Sequence, residues 1–290
     1  MIKRMGRVLL CVVLAAGLLL TGCGSSADSD KKPDETEEKT FDIKITDHIQ
    51  EIIDRGYLRV GCKTDVPGFG YYNGKTGEYE GLEIDLAYYV AAKIFGVDYT
   101  EAREHDMVRF TGVTVKDRFN VLEAGTVDCL IATVTITDER EAEYAFSDRY
   151  HVDSVGLMVL SEPGDERQIS SKGITSITQL DGRIIGVPKN ATTREAFIRY
   201  TEANDISVNP VFVEYNTYDA LYDSLKNGKI DAFAVDRSIL EGYRDNSMAI
   251  LSDKFASQPY GVCALEEQKD LIDVVNTVLK ELDYRGIVLE

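Results

Sequence analysis

The 290-residue sequence predicts an α/β protein with two similar lobes, each a mostly parallel sheet flanked by helices. Apolar strand-like runs alternate with helical runs from residue 46 onward, which is typical of parallel sheets covered on both faces. One unit is repeated, because Gly125-Thr-Val-Asp-Cys-Leu-Ile-Ala resembles Gly228-Lys-Ile-Asp-Ala-Phe-Ala-Val. The length allows two domains of roughly 100–150 residues, each with its own core.

The composition excludes some classes of partner. Apolar residues make up 44% of the chain, as in a globular protein, and the net charge is −18. Nucleic-acid affinity depends on Lys and Arg replacing counterions, so we expect no nucleic-acid partner. The same charge excludes electrostatic adsorption to an anionic membrane.

The N-terminus has the pattern of an export signal. Three basic residues precede an apolar run over 8–20, which is shorter than the about 20 residues that a membrane span needs. Leu20-Thr-Gly-Cys23 resembles the lipobox of bacterial lipoproteins, in which the chain is cut before the cysteine and the cysteine carries the lipid. The alternative is an accidental cysteine after an ordinary signal. We expect a protein lipid-anchored through Cys23 at the extracellular face of the cell membrane.

Cleavage there removes three positive charges and no negative ones, leaving a net charge of −21. The segment that follows is almost free of apolar residues and is predicted to be a flexible acidic tether. The predicted organisation is a signal over 1–22, a tether over 23–45, a first lobe over 46–153 plus 254–290, and a second lobe over 154–253.

Helix and strand signals follow one another in the order that this organisation requires. In the first lobe they predict a helix over 47–54, a strand over 58–62, a helix over 83–95, a strand over 108–115, a helix over 116–124 and a strand over 127–133. In the second they predict a strand over 183–187, a helix over 193–203, a strand over 208–213, a helix over 218–226 and a strand over 230–235. Residues 154–160 and 249–253 are predicted to cross between the lobes.

Three cysteines remain in the mature chain, Cys62, Cys129 and Cys263. Each lies among strand-like apolar residues, so we interpret them as buried and unpaired rather than as a disulfide framework. The three histidines show no ligand spacing with cysteine or with one another. We therefore expect no metal and no cofactor.

Ligands of parallel sheets lie beyond the carboxyl ends of the strands, and polar residues follow several of these ends. Thr133 and Thr135 alternate along one strand face, and Arg140 follows, so that a guanidinium can reach a carboxylate held by hydroxyl groups. The alternative is that the threonines are simply good strand formers and Arg140 is a solvated charge.

In the second lobe Thr192 and Thr193 open a helix whose free N–H groups suit a carboxylate. Thr192 with Glu195 also matches a capping box, which is a purely structural role. Asp236 ends its strand and is either a helix N-cap or the partner of an ammonium group. Together these groups suit the carboxylate and the amine of an α-amino acid.

The sequence resembles the family 3 extracellular solute-binding proteins, the amino-acid receptors of ABC importers. The resemblance is carried by Gly81-Leu-Glu-Ile-Asp-Leu-Ala87, Ile136-Thr-Asp-Glu-Arg140 and Phe146-Ser-Asp148. It implies a type II periplasmic-binding-protein clamp whose two lobes, joined by two crossover strands, close on the ligand. It also implies that the amino-acid head is bound by Thr133, Thr135, Arg140, Thr192 or Thr193, and Asp236.

Val60-Gly-Cys-Lys63 and Lys116-Asp-Arg118 are similar to segments of the aspartate- and glutamate-binding members. The resemblance implies that Lys63 and Arg118 approach a side-chain carboxylate, with Tyr260 as a further contact. The charges agree, because Arg140 and Asp236 serve the head group and leave two cations over. The alternatives are that Lys63 and Arg118 are solvated surface charges, or that the ligand is glutamine or another polar amino acid.

The competing class of function is an enzyme on the same clamp, such as a dehydratase or a peptidoglycan-cleaving enzyme. An enzyme needs an acid or base placed beside the reacting bond, and the sequence offers no such arrangement. We expect a monomeric binding protein with no catalytic residues, whose partners are a small-molecule amino acid and the transmembrane subunits of an ABC permease.

Overall fold

The structure is a computed structural model that describes residues 41–161 and 173–289. The predicted signal, the predicted lipidation site Cys23 and most of the predicted tether lie outside the described residues. Within 41–161 and 173–289, none of the helices combines the length and the apolarity needed to cross a bilayer.

The first sheet has the strand order β5-β1-β6-β14-β7. The strand β1 pairs in parallel with β5 and β6, whereas β14 is antiparallel to β6 and β7. The strands are β1 (Leu58–Cys62), β5 (Val108–Gly112), β6 (Cys129–Ile131), β7 (Tyr144–Phe146) and β14 (Cys263–Leu265). The short strands β2 (Asp65–Val66), β3 (Gly70–Asn73) and β4 (Glu78–Glu80) form a separate antiparallel sheet.

Helices cover both faces of the first sheet. Buried residues of α2 and α9 share a core with Val60, Cys62 and Cys129, whereas Leu130 packs on the other face with Leu122 of α4. The helices of this lobe are α1 (Asp47–Arg55), α2 (Leu82–Phe95), α3 (Tyr99–Glu104), α4 (Arg118–Glu123), α5 (Asp138–Glu141) and α9 (Lys269–Arg285).

The second sheet has the order β10-β9-β11-β8-β12, with β13 also paired to β8. The strands β9, β10 and β11 are parallel to one another, and β8 runs antiparallel to β11, β12 and β13. Its elements are β8 (His151–Leu160), β9 (Ile184–Pro188), α6 (Thr193–Ala203), β10 (Val211–Tyr215), α7 (Tyr218–Lys226), β11 (Ala232–Asp236), α8 (Arg237–Tyr243), β12 (Met248–Ile250) and β13 (Phe255–Tyr260).

The repeated unit seen in the sequence forms the same structure twice. Asp128 precedes β6 and its carboxylate accepts a hydrogen bond from the Arg59 backbone N–H of β1 at 2.8 Å. Asp231 precedes β11 and accepts one from the Ile184 N–H of β9, also at 2.8 Å. Each aspartate therefore fixes the start of its lobe's central strand to the strand beside it.

Most of the predicted elements are present. The helices over 193–203 and 218–226 and the strand over 58–62 match their predicted bounds, and the prediction of three buried, unpaired cysteines is confirmed. The strand predicted over 127–133 is shorter, ending at Ile131. It ends early because Thr133 has a left-handed backbone, with φ of 47°.

The two lobes touch directly. Val66, Phe69 and Val115 of the first lobe pack in one apolar core with residues of α7, α8 and β11. The Asn190 side-chain amide of the second lobe donates to the Lys116 carbonyl at 2.9 Å. A Cβ atom added to Gly242 would lie 3.1 Å from Pro67 of the first lobe, which leaves no space between the lobes there. The structure is therefore a closed form of the clamp.

Candidate functional site

Two cations that the sequence marked for the ligand side chain are buried between the lobes. Lys63 directly follows β1 and is 0% exposed, and Arg118 opens α4 and is 2% exposed. The alternative that both are solvated surface charges is therefore wrong. Burying a charge costs several kcal/mol, on the order of 3–5, when it has no partner, so both cations need compensation.

Lys63 forms an ion pair within the protein that the sequence analysis did not predict. Its ammonium lies 3.0 Å from Asp65 Oδ1 and 4.6 Å from the ring centroid of Tyr218, which belongs to the second lobe. Burial lowers the pKa of Lys63, and the Asp65 charge opposes that shift. Lys63 is therefore a partly neutralised cation, because the chain turns back at Asp65 and brings that carboxylate to the ammonium.

Arg118 has a buried donor that the described residues leave without a partner. Its Nη1 donates to the carbonyls of Ala132 and Thr133, at 2.7 and 3.1 Å. Its buried Nε makes no hydrogen bond within the part of the chain that the structure describes. A buried N–H without a partner costs about 1–3 kcal/mol, so this donor is suited to an acceptor that the protein does not itself supply.

The turn at Thr133 is held by a residue that the sequence analysis did not single out. Glu83 of α2 is 0% exposed, and its Oε1 accepts the Thr133 backbone N–H at 2.5 Å and the Tyr150 hydroxyl at 2.5 Å. The Thr133 carbonyl in turn accepts from Arg118. Glu83 and Arg118 thus bind the backbone N–H and the backbone carbonyl of Thr133, and both bonds stabilise its left-handed conformation.

Arg140 and Thr135 form the next part of the site. The Arg140 Nη1 donates to the Thr135 carbonyl at 2.7 Å, and its Nη2 reaches the Asn190 carbonyl of the second lobe at 3.4 Å. Burial, followed by the nearby Arg118 charge, lowers the pKa of Arg140 to about 10. Arg140 remains a cation at neutral pH, and the alternative of a merely solvated charge does not fit its position between the lobes.

A three-way hydrogen bond joins the lobes at Gln258 of β13. The Gln258 Oε1 accepts the hydroxyl of Thr135 from the first lobe at 2.7 Å and the hydroxyl of Thr192 from the second lobe at 2.9 Å. A cavity of about 360 Å³ adjoins this bridge and is lined by residues of both lobes, including Arg199 and Tyr200. We call the hydrogen-bonded set of Gln258, Thr135 and Thr192 the Gln258 bridge.

The start of α6 differs from the capping box that the sequence suggested. Thr192 occupies the N-cap position but its side chain makes no capping hydrogen bond. The capping-box interpretation is wrong because the Thr192 hydroxyl is donated to Gln258 instead. Thr193, the first residue of the helix, is 2% exposed.

Asp236 lies at the end of β11 and is 6% exposed. It stands at the N-cap position of α8 without a side-chain capping bond, so the N-cap alternative is wrong. Its Oδ2 accepts the hydroxyl of Tyr260 at 2.5 Å. Burial raises the pKa of Asp236 to about 7, an effect that an adjoining ammonium group would reverse.

Tyr260 is 0% exposed and is oriented by aromatic neighbours from the first lobe and from the start of β8. Its ring centroid lies 5.8 Å from that of Phe69 and 5.5 Å from that of His151. The structure therefore places Tyr260 behind Asp236, as the residue that holds that carboxylate.

The structure buries most of the predicted cleft residues near the boundary between the lobes, and it adds two carboxylates to the predicted one, so that three carboxylates accompany three cations. The cations are Lys63, Arg118 and Arg140, and the carboxylates are Asp65, Glu83 and Asp236. The sequence analysis missed Glu83, Gln258 and Tyr218. Glu83 could have been recognised in the sequence, because it is a charged residue on the helix face that Ala87, Val90 and Ile94 otherwise make apolar. Within the described residues, no cluster of metal-ligating side chains is present.

One family of known proteins matches most of this chain. The family model described as bacterial extracellular solute-binding proteins, family 3, matches residues 58–287. The "Glutamine-binding protein" of Geobacillus stearothermophilus is 31% identical over 261 residues, which cover 89% of this chain and 91% of that protein. The "ABC transporter glutamine-binding protein GlnH" of Bacillus subtilis is 28% identical over 279 residues, 95% of this chain and 91% of that one.

Solved structures show the same fold. The ABC transporter periplasmic binding protein of Brucella ovis, solved with glutathione bound, is 29% identical to this chain. It superposes with a TM-score of 0.70 over 84% of this chain and 74% of its own length. The periplasmic-binding-protein fold predicted from the sequence is therefore confirmed.

Proposed function

Since this chain belongs to the bacterial extracellular solute-binding proteins of family 3, we propose that it is the lipid-anchored receptor of an amino-acid ABC importer, with glutamate or aspartate as its ligand. The chain is a solute-binding protein and not an enzyme. Its output is a closed state that the ligand stabilises by contacting both lobes, and the permease receives the ligand from that state.

The proposed binding of the amino-acid head uses one cation and one anion. Arg140 offers its planar guanidinium to the α-carboxylate, together with the N–H groups at the start of α6. The hydroxyls of Thr135 and Thr192 join them when the ligand carboxylate replaces Gln258 Oε1 as their acceptor. Asp236 receives the α-ammonium group. Its raised pKa supports this role, because a buried carboxylate that is costly to ionise alone is stabilised by an arriving cation.

The proposal that the ligand has an acidic side chain rests on one observation. Arg118 is buried, and its Nε has no hydrogen-bond partner within the described residues. Charge-assisted hydrogen bonds between a guanidinium and a carboxylate are about twice as strong as neutral ones. A ligand carboxylate beside Arg118 would satisfy this donor and compensate its charge. Lys63 then contributes a second, partly neutralised positive charge.

Glutamine is the second candidate ligand. The pairing of Lys63 with Asp65 reduces the positive charge available to a side-chain carboxylate, and two relatives are named for binding glutamine. An amide also accepts hydrogen bonds, although it gains less from a neighbouring cation than a carboxylate does. The choice between the two ligands therefore depends on the remaining charges around Arg118.

A thermal-shift series on the purified protein tests the proposal with glutamate, aspartate, glutamine, arginine and histidine. A ligand at about 100 times its Kd adds roughly 2.7 kcal/mol to the free energy of unfolding, which is a shift of several degrees. We expect the largest shift with glutamate or aspartate. A shift with glutamine alone would replace the ligand and keep the receptor, and a shift with none of the five would contradict an amino-acid receptor.

A further inference from the structure

Glu83 is a buried charge in an unusual place. It lies in the first turn of α2, on the face that packs against the first sheet, and is 0% exposed. Burying a carboxylate at such a position is unfavourable unless its charge is compensated by neighbouring groups. Its presence on an apolar helix face therefore calls for an explanation beyond packing.

The contacts of Glu83 connect the ligand site to the start of a strand that runs into the second lobe. Its Oε1 accepts the Thr133 backbone N–H and the hydroxyl of Tyr150, the residue just before β8, both at 2.5 Å. Its buried Oε2 has no hydrogen-bond partner within the residues that the structure describes. One carboxyl group thus holds the loop that carries Thr133, while one of its oxygens stays unsatisfied.

The titratable groups that face Glu83 come from three directions. They are Cys62 and Lys63 at the end of β1, Arg118 at the start of α4, and Tyr150. Burial raises the pKa of Glu83 to about 7, while the hydrogen bonds from Tyr150 and Thr133 and the charges of Lys63 and Arg118 oppose that rise. Burial also raises the pKa of the Cys62 thiol, so Cys62 stays neutral and adds no charge to this cluster.

We propose that Glu83 is a specificity-determining residue of the receptor: it positions the Thr133 loop and, by its charge beside Lys63 and Arg118, sets the preference between an anionic and a neutral ligand side chain. This inference rests on the proposed function, since it concerns the same cleft. An ionised Glu83 partly cancels the two cations and favours glutamine, whereas a protonated Glu83 leaves them to a glutamate carboxylate.

The proposed role of Glu83 fixes the direction in which the affinity for glutamate, relative to glutamine, changes with pH. A ligand carboxylate near Lys63 and Arg118 disfavours the ionised form of Glu83, so the pKa of Glu83 is higher in the glutamate complex than in the free protein. Glutamate binding then takes up a proton at pH values between the two pKa values, starting near 7. Affinity for glutamate, relative to glutamine, therefore falls as the pH rises above about 7 and is level below it.

The ratio of the two dissociation constants isolates this effect. Both ligands carry the same α-carboxylate and α-ammonium groups, so the titration of Asp236 and Arg140 affects both equally and cancels. Isothermal titration of the purified protein with each ligand from pH 6 to 8.5 gives the ratio of the glutamine Kd to the glutamate Kd. We expect this ratio to fall about tenfold over that range, which corresponds to a pKa rise of about one unit on glutamate binding.

Glu83→Gln removes the charge and keeps a hydrogen-bond acceptor for Thr133 and Tyr150. We expect its ratio to be independent of pH and to favour glutamate more than the wild type does at pH 8.5. Glu78→Gln is the matched control, since Glu78 is exposed on β4, and it should retain the wild-type profile. Wild-type titrations at pH 7.5 in two buffers of different ionisation enthalpy count the protons, and they require no variant to fold.

The outcomes separate the two proposals. A wild-type ratio that does not change with pH, or equal proton uptake with both ligands, overturns the role of Glu83 while leaving the receptor intact. A pH-dependent ratio that survives in Glu83→Gln also overturns it and assigns the effect to Lys63. If neither ligand binds at any pH, the proposed function is wrong, and the inference built on it is wrong as well.

Discussion

The two lobes share a scaffold and differ in what they place at the cleft. In both, an aspartate fixes the start of the central strand, Asp128 in the first lobe and Asp231 in the second. In both, the strand beside the central one, β1 or β9, has a glycine that lies under a neighbouring side chain. A Cβ atom on Gly61 would lie 2.6 Å from Leu130, and one on Gly186 would lie 2.5 Å from Ile230.

The strand ends of these similar scaffolds carry opposite charges. The first lobe supplies the cations Lys63, Arg118 and Arg140, which outnumber its carboxylates Asp65 and Glu83, whereas the second supplies Asp236 and the hydroxyls at the start of α6. Equivalent folds thus produce a cleft with a positive and a negative wall. Such a cleft suits a zwitterion. Function in this fold therefore depends on a few residues at the strand ends rather than on the repeated core.

The largest effect is expected from removing the cation that serves the head group. Arg140→Ala should weaken the binding of glutamate and of glutamine alike, on the order of a hundredfold or more, because a buried charge-assisted contact is lost. Isothermal titration measures both affinities. Arg149→Ala is the control, since Arg149 is exposed, and it should bind as the wild type does. Unchanged affinity in Arg140→Ala would show that Arg140 does not bind the amino-acid head.

The scaffold comparison predicts a stability difference between two equivalent aspartates. Asp128 is almost fully buried and pairs with Arg55 and Arg59, so Asp128→Ala should lower the free energy of unfolding by about 3–5 kcal/mol. Asp231 is more exposed and lies 3.9 Å from Arg183, so Asp231→Ala should cost about 1 kcal/mol. Urea unfolding measures both, and equal losses would show that the two units are stabilised in the same way.

Arg118→Ala tests the part of the positive wall assigned to the ligand side chain. We expect the preference to move from glutamate toward glutamine by about tenfold, since only the glutamate side chain carries a charge for Arg118 to bind. Competition between the two ligands measures the shift. Lys116→Ala removes an exposed charge two residues away and should leave the preference unchanged. Equal weakening of both ligands would mean that Arg118 serves only the Thr133 loop.

The smallest effect is expected where the two lobes meet without charges. Gln258→Leu removes the acceptor shared by Thr135 and Thr192, and two neutral hydrogen bonds contribute about 0.5–1.5 kcal/mol each. We expect a several-fold loss of affinity for every ligand and a more open ligand-free protein. Small-angle X-ray scattering measures the opening, with the exposed Ser257→Ala as control. An unchanged scattering profile would show that the Gln258 bridge does not hold the lobes together.

The sequence predicts the scaffold well because the scaffold is local. Helices end at glycines with positive φ, such as Gly56 and Gly96, and buried strands are continuous apolar runs. The repeated Asp128 and Asp231 segments have the same role in the structure as their similarity suggested.

The site is less predictable because it depends on distant partners. Lys63 is paired with Asp65, only two positions away, yet the turn that brings the two residues together is not visible as a pattern in the sequence. The capping interpretation of Thr192 is wrong because Gln258, 66 residues later, takes its hydroxyl. Glu83 was part of a recognised motif, but its link to Thr133 spans 50 residues and appears only when α2 packs against the first sheet.

The most direct test of the central claim is an isothermal titration of L-glutamate into the wild-type protein near pH 7. We expect saturable binding at one site per chain, weakened about a hundredfold or more by Arg140→Ala. Unchanged affinity in that variant would contradict a receptor whose positive wall holds the amino-acid head, and the absence of glutamate binding would contradict the proposed ligand.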